Sequence, residues 1–204
     1  MVIYCYGEHH KYLLFLDIEF DNRKLMQFAG LLFKQVEDME DGAVYQLARS
    51  GNQYRNPDDK VAYPFTEYTG LTSTFLRNNG IPLQDLKHFI EDDRLANVPL
   101  NQLEVISHGL KNDRMVLFEN GINLLTYTDP DDPKRVHPID GYCTFKNAQR
   151  ILKRRSNLKE TDIANESGYY VHNAHNAYND VWGEVSIFTY LKKIELQQLQ
   201  MATM

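Results

Sequence analysis

The chain has 204 residues, 43% of them hydrophobic and 25% charged, with a formal net charge of −6. These are the values of a soluble globular protein with enough length to bury a sizeable core, and no apolar run approaches the roughly 18 residues that a membrane-spanning helix needs. The negative balance gives no general attraction for a polyanion, which argues against a non-specific nucleic-acid-binding module but not against a site where carboxylates hold divalent cations and reverse the local sign of charge.

Met1 to Lys11 contains no charged region followed by an apolar stretch, so no secretory leader is expected and the cytoplasm is the expected location. Tyr12 to Phe20 is aromatic and branched and reads as a buried strand. Asp21-Asn22 is a turn signal, after which Leu25 to Val36 reads as a second strand paired with the first, and Ala43 to Ala48 as a candidate third. Arg49 to Lys60 is polar, contains Gly51 and Pro57, and reads as a loop. Thr72 is a plausible N-cap for a helix that Asn78-Asn79-Gly80 stops. Pro82 starts another over Leu83 to Asp92, where Leu83, Leu86, Phe89 and Ile90 have helical spacing. Glu104 to Ser107 reads as a short buried strand, Asn112 to Asn120 as a helix, and Ile122 to Thr126 as a strand candidate. A loop at Asp129 to Pro133 leads to helices over Cys143 to Arg155 and Asn176 to Leu196, with Gln197 to Met204 a frayed end. Early strands followed by alternation with helices give an α/β layout, a mixed central sheet flanked by helices. One domain over 1–204 is expected, with its core at about 11–196. Cys5 and Cys143 have no metal-ligand spacing and read as reduced thiols. Lys146, Arg150, Lys153, Arg154, Arg155 and Lys159 make a basic patch, or alternatively a solvated helix face.

Three acidic clusters stand out. Asp17 and Glu19 end the first strand two residues apart, so they share one face. Two carboxylates side by side on an apolar strand are costly unless compensated, either by water at an exposed strand end or by hard cations such as Mg²⁺ or Mn²⁺. Asp113 follows His108 at the carboxyl end of a later strand, where open α/β sheets place their sites; alternatively it caps its own helix. His175 and Asp180 lie at the start of the long last helix, which also reads simply as a polar helix start.

Taken in order, Asp17-x-Glu19, His108-x4-Asp113 and His175-x-Ala177-x-x-Asp180 resemble the three motifs of the DnaQ-like DEDDh 3′→5′ exonucleases. The similarity runs from about Tyr12 to Leu191. Thr66 to Thr72 resembles the family's Thr-Gly-Ile-Thr segment, and Asp140 to Leu158 the stretch leading to the catalytic histidine. The sequence departs from the family in three places. Phe20 stands where Thr is common, Asn112 replaces the apolar residue before the second aspartate, and His172-Asn-Ala nearly duplicates the start of the third motif. Only His175 has the family's spacing to Asp180.

The resemblance implies a ribonuclease H-like fold and removal of nucleotides from the 3′ end of single-stranded DNA or RNA as 5′-mononucleotides. It implies that Asp17, Glu19, Asp113 and Asp180 hold two Mg²⁺ or Mn²⁺ ions and that His175 acts as the general base, a role suited to imidazole's near-neutral pKa. Phe20 and Leu71, next to the motifs, are candidates for packing against the terminal base or alternatively for core packing, and His108 for contacting the terminal phosphate or a metal-bound water, or alternatively for a structural hydrogen bond. Two other readings stand beside it: a catalytically silent nucleic-acid-binding module, and an exonuclease subunit of a larger processing complex.

Overall fold

The computed structural model of the protein describes residues 1–7, 10–92, 98–154, 158–170 and 175–203. It begins with four strands, β1 (Val2–Tyr6), β2 (Tyr12–Asp21), β3 (Lys24–Met39) and β4 (Gly42–Tyr54). Helices α1 (Tyr63–Thr69), α2 (Ser73–Asn79) and α3 (Leu83–Glu91) follow, and a 3-10 turn leads into β5 (Leu103–Ser107) and α4 (Leu110–Glu119). A two-stranded ribbon of β6 (Thr126–Thr128) and β7 (Val136–Pro138) precedes β8 (Asp140–Cys143), α5 (Thr144–Ile151), α6 (Glu160–Glu166) and α7 (Ala177–Ala202).

The main sheet has six strands in the order β1-β4-β3-β2-β5-β8. β2 pairs antiparallel with β3 and parallel with β5, and β5 pairs parallel with β8. The sheet is therefore mixed, as the sequence leads one to expect. β2 is apolar on both faces because both faces are covered. Leu13 and Phe15 point into the cluster that contains Val181, Phe188 and Leu191 of α7. Leu14, Leu16 and Ile18 point into the other, with Leu86 and Ile90 of α3 and Val116 and Leu117 of α4.

α7 packs along the first face through Ala177, Val181, Phe188 and Leu191, at the spacing of one helical stripe. Phe188 is fully buried and meets Phe15 edge-on at 5.4 Å and Tyr142 edge-on at 4.9 Å. Phe188→Ala is expected to lower unfolding stability by about 3–5 kcal/mol, the usual cost of a large aromatic cavity. Urea denaturation checks this value, and a loss under about 1 kcal/mol would contradict the packing described.

Several elements differ from those expected. Residues 49–54 continue β4 instead of forming a loop, since they complete the ladder with β3 from Leu32↔Arg49 to Gln27↔Tyr54. β1 pairs with β4 at the sheet edge, Val2↔Gln46 to Tyr6↔Gly42. Thr72 does cap a helix, accepting from the Phe75 N–H at 3.0 Å. The preceding Gly70, at φ 75°, ends α1, an element the polar sequence does not announce. Ile122 and Leu124 are buried without belonging to a strand, and the strand begins only at Thr126. Cys143 closes β8, so its helix starts at Thr144, and α7 runs on to Ala202 instead of fraying at Gln197. Among the described residues no helix is long and apolar enough to cross a membrane.

Candidate active site

Because alternate residues of a strand share a face, Asp17 and Glu19 continue the row of Leu13 and Phe15 toward the start of α7. A bulge between Glu19 and Phe20 then bends the strand end, a device common beside active sites. The tight turn that follows has Asn22 and Arg23 both at positive φ, as mirror-image hairpin turns demand. Gln27, which pairs with Glu19 across the sheet, is fully buried. Its amide donates to Asn52 at 2.9 Å and to the N-cap residue Asn176 at 3.4 Å, and accepts from the Ala177 N–H at 3.4 Å. These bonds tie the start of α7 to the strand carrying the first two acids.

Asp113 sits in the first turn of α4, where Ser107 Oγ and the Gly109 N–H donate to its carboxylate. Asp180 sits in the first turn of α7 and accepts from the backbone N–H of His175 at 2.8 Å and from that of Asn176. Both acids are thus oriented by donors at helix starts, where the helix dipole also favours negative charge.

The three segments meet. Asp17, Glu19, Asp113, His175 and Asp180 all line one cleft of about 1080 Å³, together with Phe20, Phe65, Tyr68, His108, Lys159 and Glu160. One oxygen each from Glu19 and Asp180 and a ring nitrogen of His175 lie within 4.8 Å of one another. Burial, with the like charges of Asp180 and Asp113 adding, pushes Glu19 up to about 8. Burial also pushes Asp113 and Asp180 up to about 6, against the lowering effect of their hydrogen-bond donors. Asp17 is raised well above the ordinary carboxylate range by burial first, then by Glu160, Asp113, Glu19 and Asp180. Carboxylates that raise one another in this way are short of positive charge. An oxygen-rich set of this kind fits hard divalent cations.

No family model matches the chain, and no curated protein matches it in sequence. Solved structures do. E. coli exonuclease I in complex with a dT13 oligonucleotide superimposes with a TM-score of 0.66 at 16% identity, over 93% of this chain and 43% of that one. Exonuclease X in complex with 5′-overhanging duplex DNA gives 0.58 at 14% identity, over 89% and 91%. A 3′-exonuclease recognising a histone mRNA stem-loop gives 0.57 at 12% identity, over 95% and 84%.

The fold is the ribonuclease H-like fold of these exonucleases. The chain spans less than half the length of the E. coli enzyme it matches.

Within this exonuclease fold the three substrate candidates separate. Phe20 is 38% exposed and lines the cleft. Leu71 is only 6% exposed, packs with Met26, Phe65 and Leu76, and is absent from the cleft lining. Its backbone, bonded to the hydroxyls of Thr66 and Thr69, turns the side chain inward, so the expectation that it faces a base is corrected. His108 lines the cleft, is hydrogen-bonded through Nδ1 to Thr144 Oγ1 at 3.0 Å, and is pushed down to about 4 by burial.

His175 has φ 69°, and its ring lies on that of Tyr68 with centroids 3.6 Å apart. Tyr68 comes from α1 and was not singled out by its sequence context. His172 lies outside the described residues, as does Arg155 of the basic patch. In that patch Arg150 pairs with Glu195 at 2.6 Å and Arg154 with Glu166, while Lys159 lines the cleft.

Two further acids were missed. Glu160 begins α6 and lines the cleft, and Glu184 sits one turn after Asp180 on the inward face of α7. An acid at a helix start is common for dipole reasons alone, so Glu160 carries no signal. Glu184 carries one: it falls in the buried stripe with Ala177, Val181, Phe188 and Leu191, where an apolar residue belongs.

In chelator the thermal midpoint is expected to fall as pH rises from 6.5 to 8. Glu19 holds its proton in the fold up to about 8 but releases it near 4.5 when unfolded. The folded state therefore binds more protons in that window, and stability drops with pH. His108 has the opposite sign, but its effect lies between about 4 and 6.5 and does not reach the window. Millimolar Mn²⁺, bound by the folded state alone, should raise the midpoint and flatten the slope. A midpoint that climbs from pH 6.5 to 8 without metal would contradict the convergence of unpaired acids.

Proposed function

We propose that the chain is a metal-dependent 3′→5′ exonuclease of the DnaQ-like DEDDh type, one catalytic domain over 1–204. Its reaction is hydrolysis of the terminal phosphodiester of single-stranded DNA or RNA with release of 5′-mononucleotides. The observation that carries this reading is the meeting of Asp17, Glu19, Asp113, Asp180 and His175 in one cleft, from three distant segments, in a fold shared with exonucleases. That the matched structures hold oligonucleotides and a stem-loop RNA supports nucleic acid as the partner.

Asp17, Glu19, Asp113 and Asp180 would hold two Mg²⁺ or Mn²⁺ ions. When bound, such ions neutralise phosphate charge, sharpen the acidity of water and steady the leaving oxygen. His175 takes the proton of the attacking water. Burial lowers its pKa, which keeps the ring neutral and able to accept at pH 7. Contact with Tyr68 fixes the ring plane, and the bond from its N–H to Asp180 fixes its backbone. Phe20, with the α1 wall of Phe65 and Tyr68, offers the terminal base an apolar and aromatic surface, which tolerates any base. His108 lines the cleft, where its ring contacts the terminal phosphate.

Chromatography of the products from a single-stranded oligonucleotide tests the reading. 5′-Mononucleotides from the first minutes of reaction are expected. Internal fragments, or no hydrolysis with either Mg²⁺ or Mn²⁺, would overturn it, the latter in favour of a silent binding module.

A further inference from the structure

Beside the four motif acids lies a second cluster. A ring nitrogen of His108 and one carboxylate oxygen each from Glu160 and Glu184 lie within 4.8 Å of one another. Glu184 is 0% exposed. Its Oε2 accepts from the Thr144 hydroxyl at 2.8 Å, but its Oε1 is buried with no hydrogen-bond partner and lies 3.9 Å from His108 Nδ1. Glu160 Oε1 is likewise buried and unpartnered. An unsatisfied buried carboxylate oxygen is costly, and two aimed at one small volume beside an imidazole are more so.

Charge points the same way. Asp17, Glu19, Asp113, Glu160 and Asp180 line the cleft, and Glu184 stands directly behind it. Two divalent cations neutralise only four of these six carboxylates. Among the described residues the cleft lining contains one Lys or Arg, Lys159. Burial first, then Glu184 and the motif acids, hold Glu160 well above the ordinary range, and burial, with Asp17 and Asp113 adding against the lowering bond from Thr144, does the same for Glu184.

We propose that His108, Glu160 and Glu184 form a cation site of their own, separate from the four motif carboxylates, that takes one divalent transition-metal ion. The donor set selects the class of ion. Imidazole suits Zn²⁺ or Ni²⁺, and the two carboxylates beside it also admit Mn²⁺, whereas Mg²⁺ prefers oxygen throughout. Entry is from the cleft, since His108 and Glu160 both line it. Thr144 holds the inner oxygen of Glu184 and lies 3.0 Å from His108 Nδ1, so an ion on that nitrogen takes the hydroxyl's place there.

The test uses Mn²⁺ alone, added to the whole chain, with electron spin-echo modulation reading nitrogen bound to the ion and equilibrium dialysis counting ions per chain. A nitrogen signal that survives His175→Ala but disappears in His108→Asn and in Glu184→Gln is expected, with the count falling by one in Glu184→Gln. Glu184→Gln keeps the side-chain shape and removes a buried charge, so its midpoint in chelator should equal or exceed that of the unaltered chain. Glu160→Gln gives the same reading should Glu184→Gln not fold. Absence of nitrogen coupling, its loss in His175→Ala, or an unchanged count in both Gln variants would overturn the site, the last by showing that the two glutamates share a proton instead. These readouts need no nuclease activity, so they stand or fall apart from the proposed reaction.

Discussion

His175→Ala is expected to lower turnover by about two to four orders of magnitude, the usual scale for losing a general base. Mn²⁺ affinity should change little, because the carboxylates remain. The substitution is clean for a structural reason: the bond from residue 175 to Asp180 is made by backbone N–H and survives the loss of the ring. Its one side effect is conformational. Residue 175 has φ 69°, a region alanine enters less readily than histidine or asparagine. His175→Asn keeps the local backbone preference and should be as inactive as His175→Ala, which separates lost chemistry from a shifted loop. Asp180→Asn should weaken metal affinity as well as rate. His172→Ala should stay within about tenfold of the unaltered chain, since His172 lacks the family's spacing to Asp180. Steady-state digestion of an oligonucleotide beside Mn²⁺ titration reads all four. A dead His172→Ala beside an active His175→Ala would mean that the third motif is misaligned.

Asp17→Asn should also slow the reaction, and it should stabilise the metal-free protein. Asp17 is crowded by Glu160, Asp113, Glu19 and Asp180 in a buried setting. Removing its charge relieves repulsion in the metal-free protein, so the midpoint in chelator should rise. For a chain of this size each kcal/mol gained appears as about 2–4 °C. In Mn²⁺ the order reverses: the unaltered chain gains from metal bound to its folded state and Asp17→Asn gains little. Turnover should fall by at least about 100-fold, as when charge stabilisation is lost at a reacting centre. Scanning calorimetry with and without Mn²⁺ checks the reversal. A variant less stable in chelator and equally stabilised by Mn²⁺ would show that Asp17 belongs to the packing and not to the ion site.

The first two motif acids were legible because a strand periodicity carried them. Asp17 and Glu19 interrupt an apolar strand at spacing two, and the structure needs only that parity to aim both at α7. Asp113 and Asp180 were legible only as members of the ordered motifs. What the residues alone did not give was convergence, which depends on β2 and β5 pairing in parallel and on Gln27 holding the start of α7. The ordered motifs gave it only through family resemblance. The misread segments share a physical cause. Residues 49–54 look like a loop because β4 lies near the sheet edge, where half-exposed polar residues cost nothing and only the ladder with β3 makes them strand. Leu71 was a candidate from its place next to the motifs, with core packing as the alternative, and the turn after Gly70 decides for packing. Tyr68 and Glu160 look like ordinary surface residues of short helices and acquire meaning only across the cleft.

The proposed reaction is removal of nucleotides from a 3′ end by these converging acids. It is tested most directly by digesting one single-stranded oligonucleotide, as DNA and as RNA, labelled in turn at each end, with Mg²⁺, Mn²⁺ or excess chelator. The 5′-labelled strand should shorten one nucleotide at a time while the 3′-labelled strand loses its label at once as a mononucleotide, and both should remain intact in chelator. Stepwise shortening from the 5′ end, or full activity in excess chelator, would contradict the account.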